Sequence, residues 1–339
     1  RGGWLLLSAA PWVLAVVFVV AGAWSTMPLA PVAAAADPTV FSADRAMVHV
    51  RQIAREPHPM GSSEIERVRD HLVAEVEALG LRFELQPVPA RDFYGDGGPI
   101  EAVNVIAWTP GTDNTKAVVL VGHYDTVPTT PGANDNSTAV AALLETARAV
   151  QAGPPLRNDT VFLFTDGEEP SDRFGARGFA AVPGLLDTLG VVVNLEALGS
   201  EGASTLIETS GAESWLIGGY ASTAAVPTAY SFLTETSRLV GEVGTDFDVF
   251  SAAGLPGAHF VYLRGSPIYH TMDDDLGSVG RGSLQHHGDN ALAIVRYFGN
   301  QDLTAVPAPD RSVFFTLRPF LVRYPAAWAP LLALVSLLL

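Results

Sequence analysis

Cysteine is absent from the 339-residue chain, lysine occurs once, at Lys116, and acidic residues outnumber basic ones 36 to 20. Each shortage excludes something. Without thiols there is no disulfide staple and no thiolate metal site, so any metal must be held by His, Asp or Glu. The redox compartment stays open, because a thiol-free chain suits either. A formal net charge of −16 with so little lysine excludes a nucleic-acid surface, which needs clustered cations to neutralise phosphates. The acidic balance instead gives a mild bias towards cationic substrates, through steering rather than chemistry. The length suits one large domain or two modest ones.

Long uncharged runs occur at the two ends. Trp4 to Trp24 carries no charge over the length that crosses a bilayer core as a helix, and reads as a membrane span. A cleaved signal peptide is the competing reading, since "PVAAAAD" offers a processing site before Asp37, but the apolar run exceeds a usual signal core. After Arg323 the chain is again apolar and stops in mid-run at Leu339. The expected organisation is a transmembrane anchor and linker over 1–36, a folded domain over 40–306, and the start of a second membrane helix over 319–339 of a longer polytopic protein. Arg1, Arg318 and Arg323 give a weak positive-inside signal, too sparse to fix orientation. The lipid bilayer is thus an expected partner.

Between these ends, strands and helices alternate. "SSEIERVRDHLVAEVEALG" places Val68, Leu72, Val76 and Leu79 at helical spacing, with Ser62 or Ser63 as cap and Gly80 as stop, which predicts an amphipathic helix. "NVIAW", "AVVLVG", "TVFLFT", "VVVNLEA" and "AHFVYL" are short apolar runs that read as strands buried on both faces. Helical stretches at 137–152 and 283–299 separate them. The pattern predicts an α/β sandwich with a largely parallel sheet, whose ligands bind at the carboxyl ends of strands.

Those ends carry the unusual polar residues. His123 and Asp125 follow "AVVLVG". A neutral imidazole binds zinc well while its second nitrogen donates to a carboxylate, so Asp125 is a candidate orienter. The plainer reading is a polar strand end making turn bonds. Asp135 stands before the helix near Ser137, where helix N–H groups favour a carboxylate that can bridge two metal ions; an ordinary N-cap is the alternative. "TVFLFTDGEEP" ends in Glu168 and Glu169. Adjacent glutamates point apart, so one can bind metal and the other take a proton from water, although paired carboxylates at a strand end are often merely solvated. Glu196 ends "VVVNLE", and Tyr269 and His270 follow "AHFVYLRG"; the tyrosine is a candidate oxyanion donor. Carboxylates converging in one cleft repel one another unless cations lie between them. His58, His259, His286 and His287 read as surface or satisfied core residues.

"GHYDTVP", "GANDNSTAVAALLE", "FTDGEEPSDRFGARGF", "NLEA" and "YHTMDD", in that order, resemble the co-catalytic zinc exopeptidases of metallopeptidase family 28. These include bacterial leucyl aminopeptidases, glutamate carboxypeptidase II and glutaminyl cyclases. The resemblance covers roughly 45–300. It implies a three-layer α/β sandwich with a mixed, mostly parallel central sheet, and two zinc ions acting on peptide substrates. Carried over, His123, Asp135 and Glu196 would be ligands of one zinc, and Asp135, Glu169 and His270 ligands of, or a bridge to, the other; one member of each set changes places within the family, so which ion each serves stays open. Glu168 would be the general base, Tyr269 the oxyanion donor, and Asp125 and Asp274 supporting groups behind the ligands. Most such aminopeptidases have Asp where this chain has Glu196, which leaves the ion count and substrate open. With "TDFDVF" and the flanking runs, the chain looks most like the membrane-bound vacuolar and endoplasmic-reticulum branch with bacterial relatives, its catalytic domain lumenal or extracellular and flanked by transmembrane helices. The expected activity is a membrane-anchored exopeptidase, an aminopeptidase in the first instance. Glutaminyl cyclisation, carboxypeptidase activity and a non-catalytic ectodomain are the alternatives. A zinc amidohydrolase sharing "H-x-D-x-V-P" fits less well, because the stretch from Glu196 to His270 leaves no room for the dimerisation domain such enzymes insert.

Overall fold

The computed structural model describes residues 12, 13, 15, 16, 19, 20, 22–24, 26–169, 172–241 and 244–338. Its centre is a seven-stranded sheet in the order β1-β2-β4-β3-β5-β7-β6, built from β1 (Arg82–Arg91), β2 (Pro99–Thr109), β3 (Ala117–His123), β4 (Thr160–Thr165), β5 (Leu189–Ala197), β6 (Thr205–Ser210) and β7 (Gly257–Tyr262). The inner four, β4, β3, β5 and β7, are parallel. Antiparallel strands close both edges, β1 and β2 on one side and β6 on the other. The five apolar runs picked out in the sequence are β2, β3, β4, β5 and β7. The β1–β2 hairpin and β6 lie outside those runs: "RFELQPVPAR" and "TLIETS" mix charge, proline and hydroxyls, as edge strands with water on one side do.

Continuous apolar runs arise because each inner strand feeds two cores. Val118 and Leu120 of β3 join one cluster with Phe162, Phe164, Val191 and Val193, whereas Val119 and Val121 join a second with Leu163, Val192, Phe179 and Phe250. Helices α1 (Ala43–Ile53), α3 (Ser137–Gln151) and α8 (Arg281–Phe298) cover the first face; α4 (Phe174–Ala180) and α7 (Asp246–Ala252) cover the second. This makes three layers. The amphipathic helix is α2 (Ser63–Ala78), where Ser62 Oγ accepts from the Ile65 N–H and buried Val68, Leu72 and Val76 face the core. Burying each such side chain stabilises the fold by about 1.5–3 kcal/mol.

The remaining elements sit at the chain's C-terminal end and beside β6. α5 (Glu213–Thr223) and α6 (Ser231–Val240) flank a two-stranded hairpin, β8 (Ser312–Leu317) and β9 (Phe320–Pro325), and α9 (Ala329–Leu338) follows. The hairpin is tied to the domain: Glu213 Oε2 accepts from the Ser312 N–H at 2.8 Å, and Phe314 is buried in the main core. It therefore extends the packed structure past the boundary expected at 306, and the segment expected to be helical from 319 opens as strand β9. Alternation in "SVFFTL" accounts for this, since Ser312, Phe314 and Thr316 face inward. The expected span Trp4 to Trp24 lies largely outside the described residues. Among the described residues no helix is long and apolar enough to cross a membrane.

Candidate metal centre

Three parallel strands end beside one another at a single rim. His123 closes β3 and pairs with Thr165 of β4, while Glu196 lies near the end of β5. The loop after β3 then returns through Gly132, whose φ of +63° and close approach to the Asp135 carbonyl leave no room for a Cβ. Asp135 follows, joined by a cis peptide to Asn136. Asn136 is the N-cap of α3 but its side chain makes no cap bond; it donates instead to Glu196 Oε2 at 2.8 Å and to the Leu195 carbonyl at 2.9 Å. Asp135 is thus not spent on capping, and its carboxylate faces the rim.

Two sets of donor atoms share that carboxylate. His123 Nε2 lies 3.3 Å from Asp135 Oδ1 and 3.2 Å from Glu196 Oε2. On the other side His270 Nε2 lies 3.3 Å from Asp135 Oδ2 and 3.1 Å from Glu169 Oε2. Ligands about 2.0–2.1 Å from a tetrahedral zinc are separated by about 3.3–3.4 Å, so each imidazole stands at ligand spacing from two carboxylates; at this rim the donor atoms that all lie within 4.8 Å of one another are those of His123, Asp135 and Glu169, and those of His123, Glu168 and Glu196. Their saturation is equally telling. Among the described residues, Asp135 Oδ2, Glu169 Oε1 and His270 Nε2 are buried without a hydrogen-bond partner, a cost of about 1–3 kcal/mol each that a cation removes. By contrast, the trio His49, His71 and Glu75 on α1 and α2 has its nearest imidazole–carboxylate pairs at 3.8 and 3.9 Å, wider than a preformed shell.

Electrostatics point the same way. Burial lifts the Glu169 carboxyl to about 8, with Asp135 adding to the rise. Glu168 is likewise pushed well above the usual carboxylate range by burial, then by Glu196, Glu169 and Asp246. His270 is drawn down by burial but held up, at about 10, by Asp135 and Glu169. Burial also acts against a charge on His123, yet Glu196 and Glu168 outweigh it and raise the imidazole well above its ordinary value. Protons are balancing carboxylate charge here, the task a bound cation takes over.

Asp125 and Asp274 both make hydrogen bonds around the rim. His123 Nδ1 bonds the main-chain carbonyl of Asp125 at 3.0 Å, whereas the Asp125 carboxylate is 3.5 Å from that nitrogen. The carboxylate instead accepts the N–H groups of Glu168 and Glu169, both at 3.1 Å. It fixes the turn that aims the two glutamates apart. Asp274 takes the Asn134 and Asp135 N–H groups at 2.8 and 3.1 Å and so holds the bridging loop. His270 sits at φ +60°, and its ring is stacked 3.7 Å from that of Tyr269. Burial first, then Asp135, Glu169 and Glu168, push the Tyr269 phenol up, so it stays a donor. Glu168 Oε2, 3.9 Å from His123 Nε2, stands beside the donor sets.

Several residues here escaped sequence reasoning. Asn136 and Asn194 hold Glu196, and Asp246 binds the Thr165 hydroxyl. Tyr94, in the β1–β2 turn, has its phenol raised by burial and by Glu169, Asp125 and Glu168. The sequence reads His259 as a surface or satisfied core residue, yet its Nε2 is buried with no hydrogen-bond partner among the described residues. The position of Asn136 directly after Asp135 was the one available signal. His58, His286 and His287 do find partners, Glu56, Val226 and Ser204 among them.

The α/β sandwich gathers imidazoles and carboxylates at one strand-end rim, a donor set suited to a metal ion. The chain belongs to Peptidase family M28, enzymes acting on peptide bonds, whose sequence profile matches residues 104–295, more than half of the chain. "Endoplasmic reticulum metallopeptidase 1" of Rattus norvegicus is 32% identical over 235 residues, 66% of this chain and 26% of that protein. "Vacuolar membrane protease" of Candida dubliniensis is 26% identical over 269 residues, 75% of this chain and 28% of that one. The chain thus spans about a quarter of the length of these curated relatives. Among solved structures, "Aminopeptidase from Aneurinibacillus sp. strain AM-1" matches with a TM-score of 0.65 at 16% identity, covering 81% of this chain and 99% of that one. At that identity the likeness speaks to the fold, a mostly parallel mixed sheet of the zinc aminopeptidase kind.

Proposed function

We propose that this chain carries the catalytic domain of a membrane-anchored, zinc-dependent exopeptidase, an aminopeptidase in the first instance, facing a lumen or the cell exterior. The observation that carries it is the division of one carboxylate between two donor sets, Asp135 with His123 and Glu196, and Asp135 with Glu169 and His270. The unpartnered atoms of Asp135, Glu169 and His270 support two ions. The relatives' printed names and the uncharged run Trp4 to Trp24 support the membrane setting, with flanking helices around a peptidase domain that runs from about 40 through the β8–β9 hairpin.

Bound zinc supplies Lewis acidity, polarising a carbonyl oxygen and bringing the acidity of water close to neutrality. The chain's own residues do the rest. Glu168 accepts the proton of the attacking water and delivers it to the leaving amine. Tyr269 donates a hydrogen bond to the oxygen on which negative charge develops. Asp125 keeps Glu168 and Glu169 at their separate tasks by holding both N–H groups.

The test is metal analysis of the purified protein combined with hydrolysis of an aminoacyl-amide panel before and after chelation. Zinc near two equivalents and chelator-sensitive amide hydrolysis support the proposal. Cyclisation of an N-terminal glutamine peptide without amide hydrolysis, or bound zinc with neither activity, overturns it.

A further inference from the structure

The cavity at the metal centre has a second wall. It measures about 110 Å³ and is lined by the donor residues on one side and by Leu198, Ile207, Thr245, His259 and Val261 on the other. Three of these five are aliphatic, and the two polar ones are unsatisfied: among the described residues neither Thr245 Oγ1 nor His259 Nε2 has a hydrogen-bond partner, and both atoms are buried. Buried polar atoms are nearly always paired, so two orphans in one cavity mark groups awaiting a ligand.

The chemistry of that ligand follows from the far side of the imidazole. His259 lies on β7 directly across from Glu208 of β6, and its Nδ1 is 2.8 Å from Glu208 Oε2. An ionised carboxylate only accepts, so Nδ1 carries a proton, and in the neutral ring Nε2 presents a lone pair to the cavity. Phe247 packs against the imidazole, ring centroids 5.4 Å apart and planes tilted by 35°, and restricts its orientation. A donor is therefore wanted at this point, with aliphatic contact along the approach.

Resting on the peptidase reading above, we propose that this pit receives the side chain of the substrate residue next to the scissile bond. It selects side chains tipped by a hydroxyl or carboxamide, with His259 as the specificity-determining acceptor. Thr245, able to donate or accept, completes the bond to such a tip. Leu198, Ile207 and Val261 pack against its carbon stem.

The experiment uses the zinc-loaded protein and two isosteric pairs, threonyl against valyl amide and asparaginyl against leucyl amide. The expected kcat/KM favours the donor-tipped member by at least about tenfold, as when a site's buried polar group is left unpaired by the wrong substrate. His259→Leu brings that ratio to one or below while hydrolysis of the valyl amide persists. His259→Gln, which keeps an acceptor, restores part of it. A second arm measures binding of threonine and valine hydroxamates by calorimetry, where the metal-binding group is the same and turnover plays no part. Discrimination between the hydroxamates without amide hydrolysis sinks the peptidase reading and leaves the pocket standing. Equal affinities overturn the pocket, as does a preference for the aliphatic member, for an acidic side chain, or an equal loss on both members in His259→Leu.

Discussion

Asp135 and His123 meet at 3.3 Å, Oδ1 to Nε2, in a contact whose carboxylate leaves its second oxygen without a hydrogen bond among the described residues. That second oxygen faces His270. The arrangement makes Asp135 the residue on which both donor sets depend. Asp135→Asn keeps the shape but replaces one oxygen with an N–H₂ donor. Bound zinc should fall to one equivalent or fewer, and turnover by at least about a thousandfold, as when a unit's central member is removed. Elemental analysis beside kinetics checks this.

In the proposed mechanism Glu168 separates binding from chemistry. Its carboxylate borders the donor sets, and its position is set through its own N–H by Asp125. Glu168→Gln should leave zinc content and melting temperature near wild type while kcat falls about 10²–10⁴-fold with KM little altered. Retained turnover would reject the role.

Asp274 acts at one remove. It accepts the N–H groups of Asn134 and Asp135 and touches neither His123 nor His270. Asp274→Ala releases the loop that carries the bridging carboxylate, and zinc affinity should drop about 10–100-fold, the usual cost of losing a group behind a ligand. Competition with a chromophoric chelator measures it.

Stability should depend on pH in opposite senses with and without zinc. In the metal-free fold Glu169 keeps its proton to about 8 against an ordinary 4.5, and His270 keeps its own to about 10 against 6.5. The native state therefore binds more protons than the unfolded chain across these windows. By linkage the metal-free protein loses stability as pH rises from about 5 to about 10. Zinc needs the same ligands deprotonated, so its binding strengthens with pH. The zinc-induced rise in melting temperature should be larger at about pH 8.5 than at about pH 5.5, read by thermal denaturation. A pH-independent zinc effect would contradict the site.

The inner sheet was legible because strands such as Val118–Val121 are apolar on both sides, a pattern that needs no tertiary knowledge. The rim was legible because a His, Asp or Glu ending such a run has no packing reason to be there. What stayed hidden depends on long-range contact. Asn136 and Asn194 are ordinary loop and strand residues until Glu196 is brought against them. His259 lies in "AHFVYL", where burial alone suggested a satisfied side chain; only the β6–β7 pairing shows that Glu208 takes one nitrogen and leaves the other open. Edge strands β1 and β6 were hidden for the opposite reason, since half their side chains answer to solvent.

The most direct measurement is anomalous diffraction at the zinc edge from crystals of the zinc-loaded protein. The account predicts two peaks about 3.5–4 Å apart, one between His123, Asp135 and Glu196 and the other between Asp135, Glu169 and His270. A single peak away from Asp135, or no zinc at this rim, would contradict it.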